Sequence, residues 1–140
     1  MVQADAASRR GLTQVLGRMG KTPVIVRPIS TAERVVLERA LTLAPAAGVA
    51  IPPLAGIDSL QVVGRCDCGC ASVDFAHLPG REIATLVADA MAENPAGEHV
   101  NVLVWAYRGA FSGLEIVGYS DRPTALPVAE TVRAWGPLPE

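Results

Sequence analysis

The spacing of apolar residues along the chain changes twice, and each change marks a new kind of element. Ser30-Thr31-Ala32-Glu33 has the form of a capping box, with the serine hydroxyl taking the Glu33 amide and the glutamate reaching back to the serine amide. Behind it Val36, Leu37, Ala40, Leu41 and Ala44 recur at helical spacing, and Pro45 ends the run. This predicts a helix over 31–44 with Arg34, Glu38 and Arg39 facing water. Residues 46–58, interrupted by Pro52 and Pro53, read as an apolar loop. From Leu60 the spacing shortens. Residues 60–63 lead into the cysteines, and 71–75 have the composition of a short strand.

Residues 99–107 alternate Val100, Val102, Val104 and Ala106 against Asn101, Leu103, Trp105 and Tyr107. Residues 114–119 return with Leu114 and Ile116 against Glu115, Val117 and Tyr119, so the two form a hairpin whose loop is the turn region 108–113. Residues 83–91 fit two patterns. Ile83, Leu86, Val87 and Ala90 suit a helix, while Leu86, Ala88 and Ala90 suit one face of a strand. The turn at Asn94-Pro95-Ala96-Gly97 leads straight into the next strand and favours the strand. The tail carries Pro123, Pro127, Pro137 and Pro139, with one short helical turn over 127–132. Together these predict an α+β fold, an N-terminal helix packed on a mainly antiparallel sheet of about four or five strands.

The 140 residues suit one domain. A half-apolar composition with net charge −2 excludes disorder, and no repeat or long apolar run points to collagen, coiled coil or membrane span. The charge is uneven: positions 1–28 carry +4 and the remainder −6. The expected organisation is therefore a basic N-terminal arm over 1–28 with little order of its own, and a single α+β domain over 29–140 ending in the proline-rich tail. Arg9 and Arg10 are not followed by an apolar stretch of signal-peptide length, so a cytoplasmic location is expected. Eleven arginines against one lysine reflect a GC-rich bacterial coding bias rather than function.

All three cysteines fall in Gly64-Arg65-Cys66-Asp67-Cys68-Gly69-Cys70. Positions i, i+2 and i+4 of an extended chain share a face, so Cys66, Cys68 and Cys70 are candidate ligands for a soft or borderline ion such as zinc or Cu⁺. His77 is the candidate fourth ligand, with His99, Asp67 and Asp74 as alternatives. A flat strand does not readily wrap one ion, and Gly69 is the place where it could bend. The other readings are small, packed apolar thiols and redox or nucleophilic cysteines. The run G-R-C-D-C-G-C-A-S-V-D at 64–74, with S-G-L-E at 112–115 and Asp121 and Pro123, resembles a group of small, functionally uncharacterised actinobacterial proteins. Their pattern is G-R-C-x-C-G-C-x-S-[IV]-D followed by a hydrophobic strand, S-G-L-E and D-x-P. The resemblance spans roughly 31–127, implies a strand over 83–91, and carries no activity with it.

No catalytic constellation emerges. Neither histidine lies in a nucleophile motif, and no phosphate-binding glycine loop is present. Asp74, Glu115 and Asp121 are the carboxylates that neighbouring strands could gather for a hydrolase. Trp105, Tyr107, Glu115 and Tyr119 are expected on the outer sheet face. An aromatic and acidic face of this kind suits a protein partner, and the acidic body disfavours nucleic acid. The leading expectation is a protein-binding module of the immunity or regulator kind using that face. The alternative is a metal-binding or thiol-dependent protein centred on the three cysteines.

Overall fold

Ser30 is extended (φ −77°, ψ 159°), and its hydroxyl accepts the Glu33 amide at 3.0 Å while the Glu33 carboxylate accepts the Ser30 amide at 2.9 Å. This closed capping box starts helix α1, Thr31–Leu43, in the computed structural model, which describes residues 26–79 and 83–136. Just before it, strand β1 (Arg27–Pro28) pairs antiparallel with β2 (Gln61–Val62). From there the Arg27 guanidinium donates to both Glu33 oxygens, at 3.0 and 2.8 Å. Burial pushes the Glu33 carboxyl up, but the Arg27 hydrogen bond and charge and the Ser30 donors outweigh it and hold the group below its ordinary value. Residues 1–25 of the expected basic arm lie outside the described residues, and Arg27 belongs to the domain itself.

The main sheet contains β3 (Gly64–Arg65), β4 (Val73–Asp74), β5 (Thr85–Glu93), β6 (His99–Tyr107) and β7 (Ala110–Gly118), all antiparallel, in the order β3-β4-β7-β6-β5. The α+β reading with one helix on an antiparallel sheet is therefore what the chain forms, and the segment expected over 83–91 is strand from Thr85 on, extending to Glu93. Helix α1 lies over β5 and β6. It buries Val36, Leu37, Ala40 and Leu41 against Ala88, Ala90, Ala92, Val100, Val102 and Val104, with Leu114 and Ile116 of β7 completing the layer. The three alanines of β5 leave room for the helix to come close. Each fully buried Leu or Val contributes roughly 1.5–3 kcal/mol relative to exposure.

Four local features differ from the sequence expectation. The β6–β7 loop is only Arg108-Gly109, both at positive φ (51° and 78°), the conformation of a two-residue type I′ turn whose twist matches the strands. Strand β7 therefore begins at Ala110, and a register shift between Trp105 and Ala106 places the extra residue, Ser112, in a bulge. Residues 54–59 form a 3₁₀ turn that buries Ile57 inside the expected loop. Arg39 is not simply solvated: its Nε donates to the Ala129 carbonyl at 2.6 Å, joining α1 to the tail. The tail's expected helical turn appears as a 3₁₀ turn, Ala129–Thr131. Among the described residues, no helix is long and apolar enough to cross a membrane.

Candidate metal centre

Strands β3 and β4 pair side by side, Gly64 with Asp74 and Arg65 with Val73, so residues 66–72 must reverse the chain between them. The cysteines thus occupy a connecting loop, not the face of a strand. Fully extended, Cys66 and Cys70 would lie about 13 Å apart along the chain. Instead the Gly69 amide donates back to the Cys66 carbonyl at 3.4 Å, and Gly69 takes φ +88°, a conformation open to glycine and strained for other residues. The turn folds the three side chains inward, and the Sγ atoms of Cys66, Cys68 and Cys70 all lie within 4.8 Å of one another.

Two further contacts orient the sulfurs. The Cys68 amide donates to the Cys66 Sγ at 3.4 Å, and the Cys70 amide donates to the Cys68 Sγ at 3.3 Å. Such N–H donors place partial positive charge against sulfur, as outer-shell donors do around metal-bound thiolates. A strap from the region after β7 holds the loop from outside. Thr124 accepts the Ala71 amide at 2.8 Å on its carbonyl, and Pro123 packs on Gly69 at ordinary van der Waals distance from where a Cβ would stand. Thr124 sits so close over Gly118 that a side chain there would displace it. Cys68 is exposed, and Cys66 and Cys70 are half-buried.

The cysteines line a groove of about 650 Å³ beside the sheet, which also touches His77, Asp74, Trp105, Ser112 and Glu115. Among the described residues its charged lining is carboxylate, Asp74 and Glu115, with His77 beside them. Glu115 is aimed by Trp105, whose indole N–H donates to Oε1 at 3.0 Å. Gly113 lies between Trp105 and Asp74 in register, so the groove floor there carries no side chain. His77 is present in the groove, but among the described residues only the three sulfurs form a convergent donor set. The alternatives Asp67, Asp74 and His99 stand outside that set as well. Asp74 and Glu115 share the groove, whereas Asp121 is not among its lining residues.

The expected aromatic face divides in three. Trp105 and Glu115 belong to the groove. Tyr119 hydrogen-bonds through its hydroxyl to Asn101 Oδ1 and stacks on His99, with ring centroids 5.7 Å apart and planes 14° apart. Tyr107 lies under the Arg108 guanidinium, 5.2 Å from its ring centre, beside the hairpin turn. The sequence reading missed Trp135, which meets His99 edge-on at 6.0 Å and donates from its indole to Asp89 at 2.9 Å. Its one signal was a tryptophan within a proline-rich tail. Also missed was Ser112, whose bulge buries the hydroxyl with no hydrogen-bond partner among the described residues.

These features define a class: a helix-on-sheet domain that carries a three-thiol loop beside a carboxylate-lined groove. Compared with models of protein families, with curated proteins and with solved structures, the chain finds no match.

Proposed function

We propose that this chain binds a thiophilic metal ion through Cys66, Cys68 and Cys70. The observation that carries the reading is the gathering of three sulfurs within 4.8 Å in a loop that needs a left-handed glycine to bring them together. Three thiolates bonded to one ion at about 2.3 Å in a trigonal plane stand about 4.0 Å apart, so only a small side-chain adjustment separates this arrangement from a closed site. The donors are all soft, which selects Cu⁺ and Zn²⁺ over hard cations. Cu⁺ would be satisfied by the three sulfurs alone. Zn²⁺ would keep a fourth position for water or an added ligand on the groove side, as zinc sites with three protein ligands do.

Native mass spectrometry of the reduced protein, titrated separately with Zn²⁺ and Cu⁺, tests this. One ion per chain is expected, lost on chelation and lost in the C66S/C68S/C70S variant. A reduced chain that takes up neither ion above the level of that variant overturns the reading. A second reading, a protein-binding module, is favoured by Tyr119 and Trp135, 70% and 55% exposed on either side of His99. A partner that binds the triple-serine variant as well as wild type and fails on a Y119A/W135A variant supports it.

A further inference from the structure

We infer that the reduced, metal-free loop exchanges disulfides, with Cys68 as the attacking thiolate and Cys66 or Cys70 as the resolving one. The inference rests on the same convergence of sulfurs as the metal reading and gives that site a second state. Cys68 is the exposed member of the trio and lines the groove, while its two neighbours are half-buried with their sulfurs within 4.8 Å of its own. A small aliphatic disulfide, RS–SR, reaches the exposed sulfur first. The Cys68 thiolate forms a bond to one sulfur of that disulfide, its S–S bond breaks, and RS⁻ leaves to take a proton from water. A second loop thiolate then attacks the Cys68 sulfur, forms the internal disulfide and expels the second RS⁻. One disulfide is reduced to two thiols as two loop thiols become one disulfide.

Three cysteines make the loop differ from a two-cysteine pair. The third thiolate remains within reach of the new bond, so the disulfide can migrate among the three without outside help. Oxidation also removes two of the three metal donors, so the internal disulfide and metal uptake exclude each other.

The test uses full-length, reduced, metal-free protein and glutathione disulfide, followed by intact mass. Wild type is expected to pass through a transient single-glutathione adduct to a species two hydrogens lighter. C66S/C70S is expected to stop at a stable adduct on Cys68, and C68S to react at least about tenfold more slowly. Circular dichroism checks that both variants fold. C68S reacting as fast as wild type, or wild type stopping at the adduct as C66S/C70S does, overturns the inference. Failure to bind Zn²⁺ or Cu⁺ while the internal disulfide still forms defeats the metal reading alone. Metal uptake without the internal disulfide defeats this one alone.

Discussion

Replacing Gly69 with alanine isolates the feature on which the site depends. The glycine sits at φ +88°, and an added Cβ would meet Pro123 at 3.6 Å, an ordinary contact. The neighbour therefore does not resist the methyl group; the backbone does. A left-handed conformation costs a residue with a Cβ roughly 1–2 kcal/mol, and φ +88° lies beyond the most favourable part of that region. The loop has two ways to bear this cost. If the strap formed by Pro123 and Thr124 holds the turn, the whole penalty appears as lost stability, about 3–4 °C in Tm for each kcal/mol at this chain length. If the turn instead flips to negative φ, stability is kept, the three sulfurs separate, and affinity for Zn²⁺ or Cu⁺ falls by roughly tenfold for each 1.4 kcal/mol. Thermal melts of the metal-free chain and competition titrations against a chromophoric chelator measure the two together. Gly56→Ala is the control, since Gly56 has no positive φ and nothing within 4 Å of its Cβ position. A G69A chain that melts and binds metal as wild type does would show that the left-handed turn does not hold the sulfurs together, and the argument for the site would fall with it.

Metal uptake by three thiols displaces up to three protons, so the apparent affinity is expected to fall as pH is lowered, by up to about a thousandfold per pH unit, which titrations between pH 6 and 8 read directly. Glu33 titrates lower in the folded chain than in the unfolded one, so its contribution is whole above the unfolded value near 4.5 and is lost as pH falls through the lower folded value. Glu33→Gln is expected to cost about 1–2 kcal/mol at neutral pH, discounted for a partner arginine 41% exposed, and to flatten the acid limb of the stability curve; an unchanged acid limb refutes the assignment. Ser112→Ala removes a buried hydroxyl that has no partner among the described residues, and is expected to leave stability unchanged or raise it by about 1 kcal/mol in chemical denaturation. Thr131→Val strips the hydroxyl that accepts the Glu93 amide at 2.8 Å and is expected to cost about 1–2 kcal/mol, with faster hydrogen exchange at Glu93.

Local rules carried the reading of the sequence a long way. The capping box of Ser30 and Glu33 is a short-range device, legible from four consecutive residues, and it formed as written. The alternation along 99–107 survived because one face of that strand is buried under α1 and a one-residue slip would turn every valine outward. The turn at 108–109 was obscured by a second glycine at 113, which belongs to the groove floor and not to the loop. Arg39, Trp135 and Thr131 were beyond reach for a different reason. Their partners Ala129, Asp89 and Glu93 lie 90, 46 and 38 residues away, and no local pattern encodes such a pairing. The cysteines fell between these cases. Their identity and spacing were plain, and Gly69 marked the bend, but convergence needed the β3–β4 pairing, which rests on two residues in each strand.

That pairing also explains why the site lies where it does. At one margin of the sheet, β5 is sealed. Its Val87 carbonyl and Asp89 amide are taken by Ala46 and Ala44, both main-chain groups of Met91 by Arg133, the Glu93 carbonyl by the Val128 amide and the Glu93 amide by Thr131 Oγ1. An edge covered along its length offers nothing to another strand. At the other margin β3 is only two residues long, and the chain leaves it directly into the cysteine loop. The rigid part of the fold thus ends where the loop begins, with β4, β7 and the Thr124 strap fixing the loop's far end. A loop set on such a frame keeps the freedom to change ligands while its ends stay in place. Three sulfurs at the open margin, one exposed and two half-buried, stand where the proposed ion would meet them from solution.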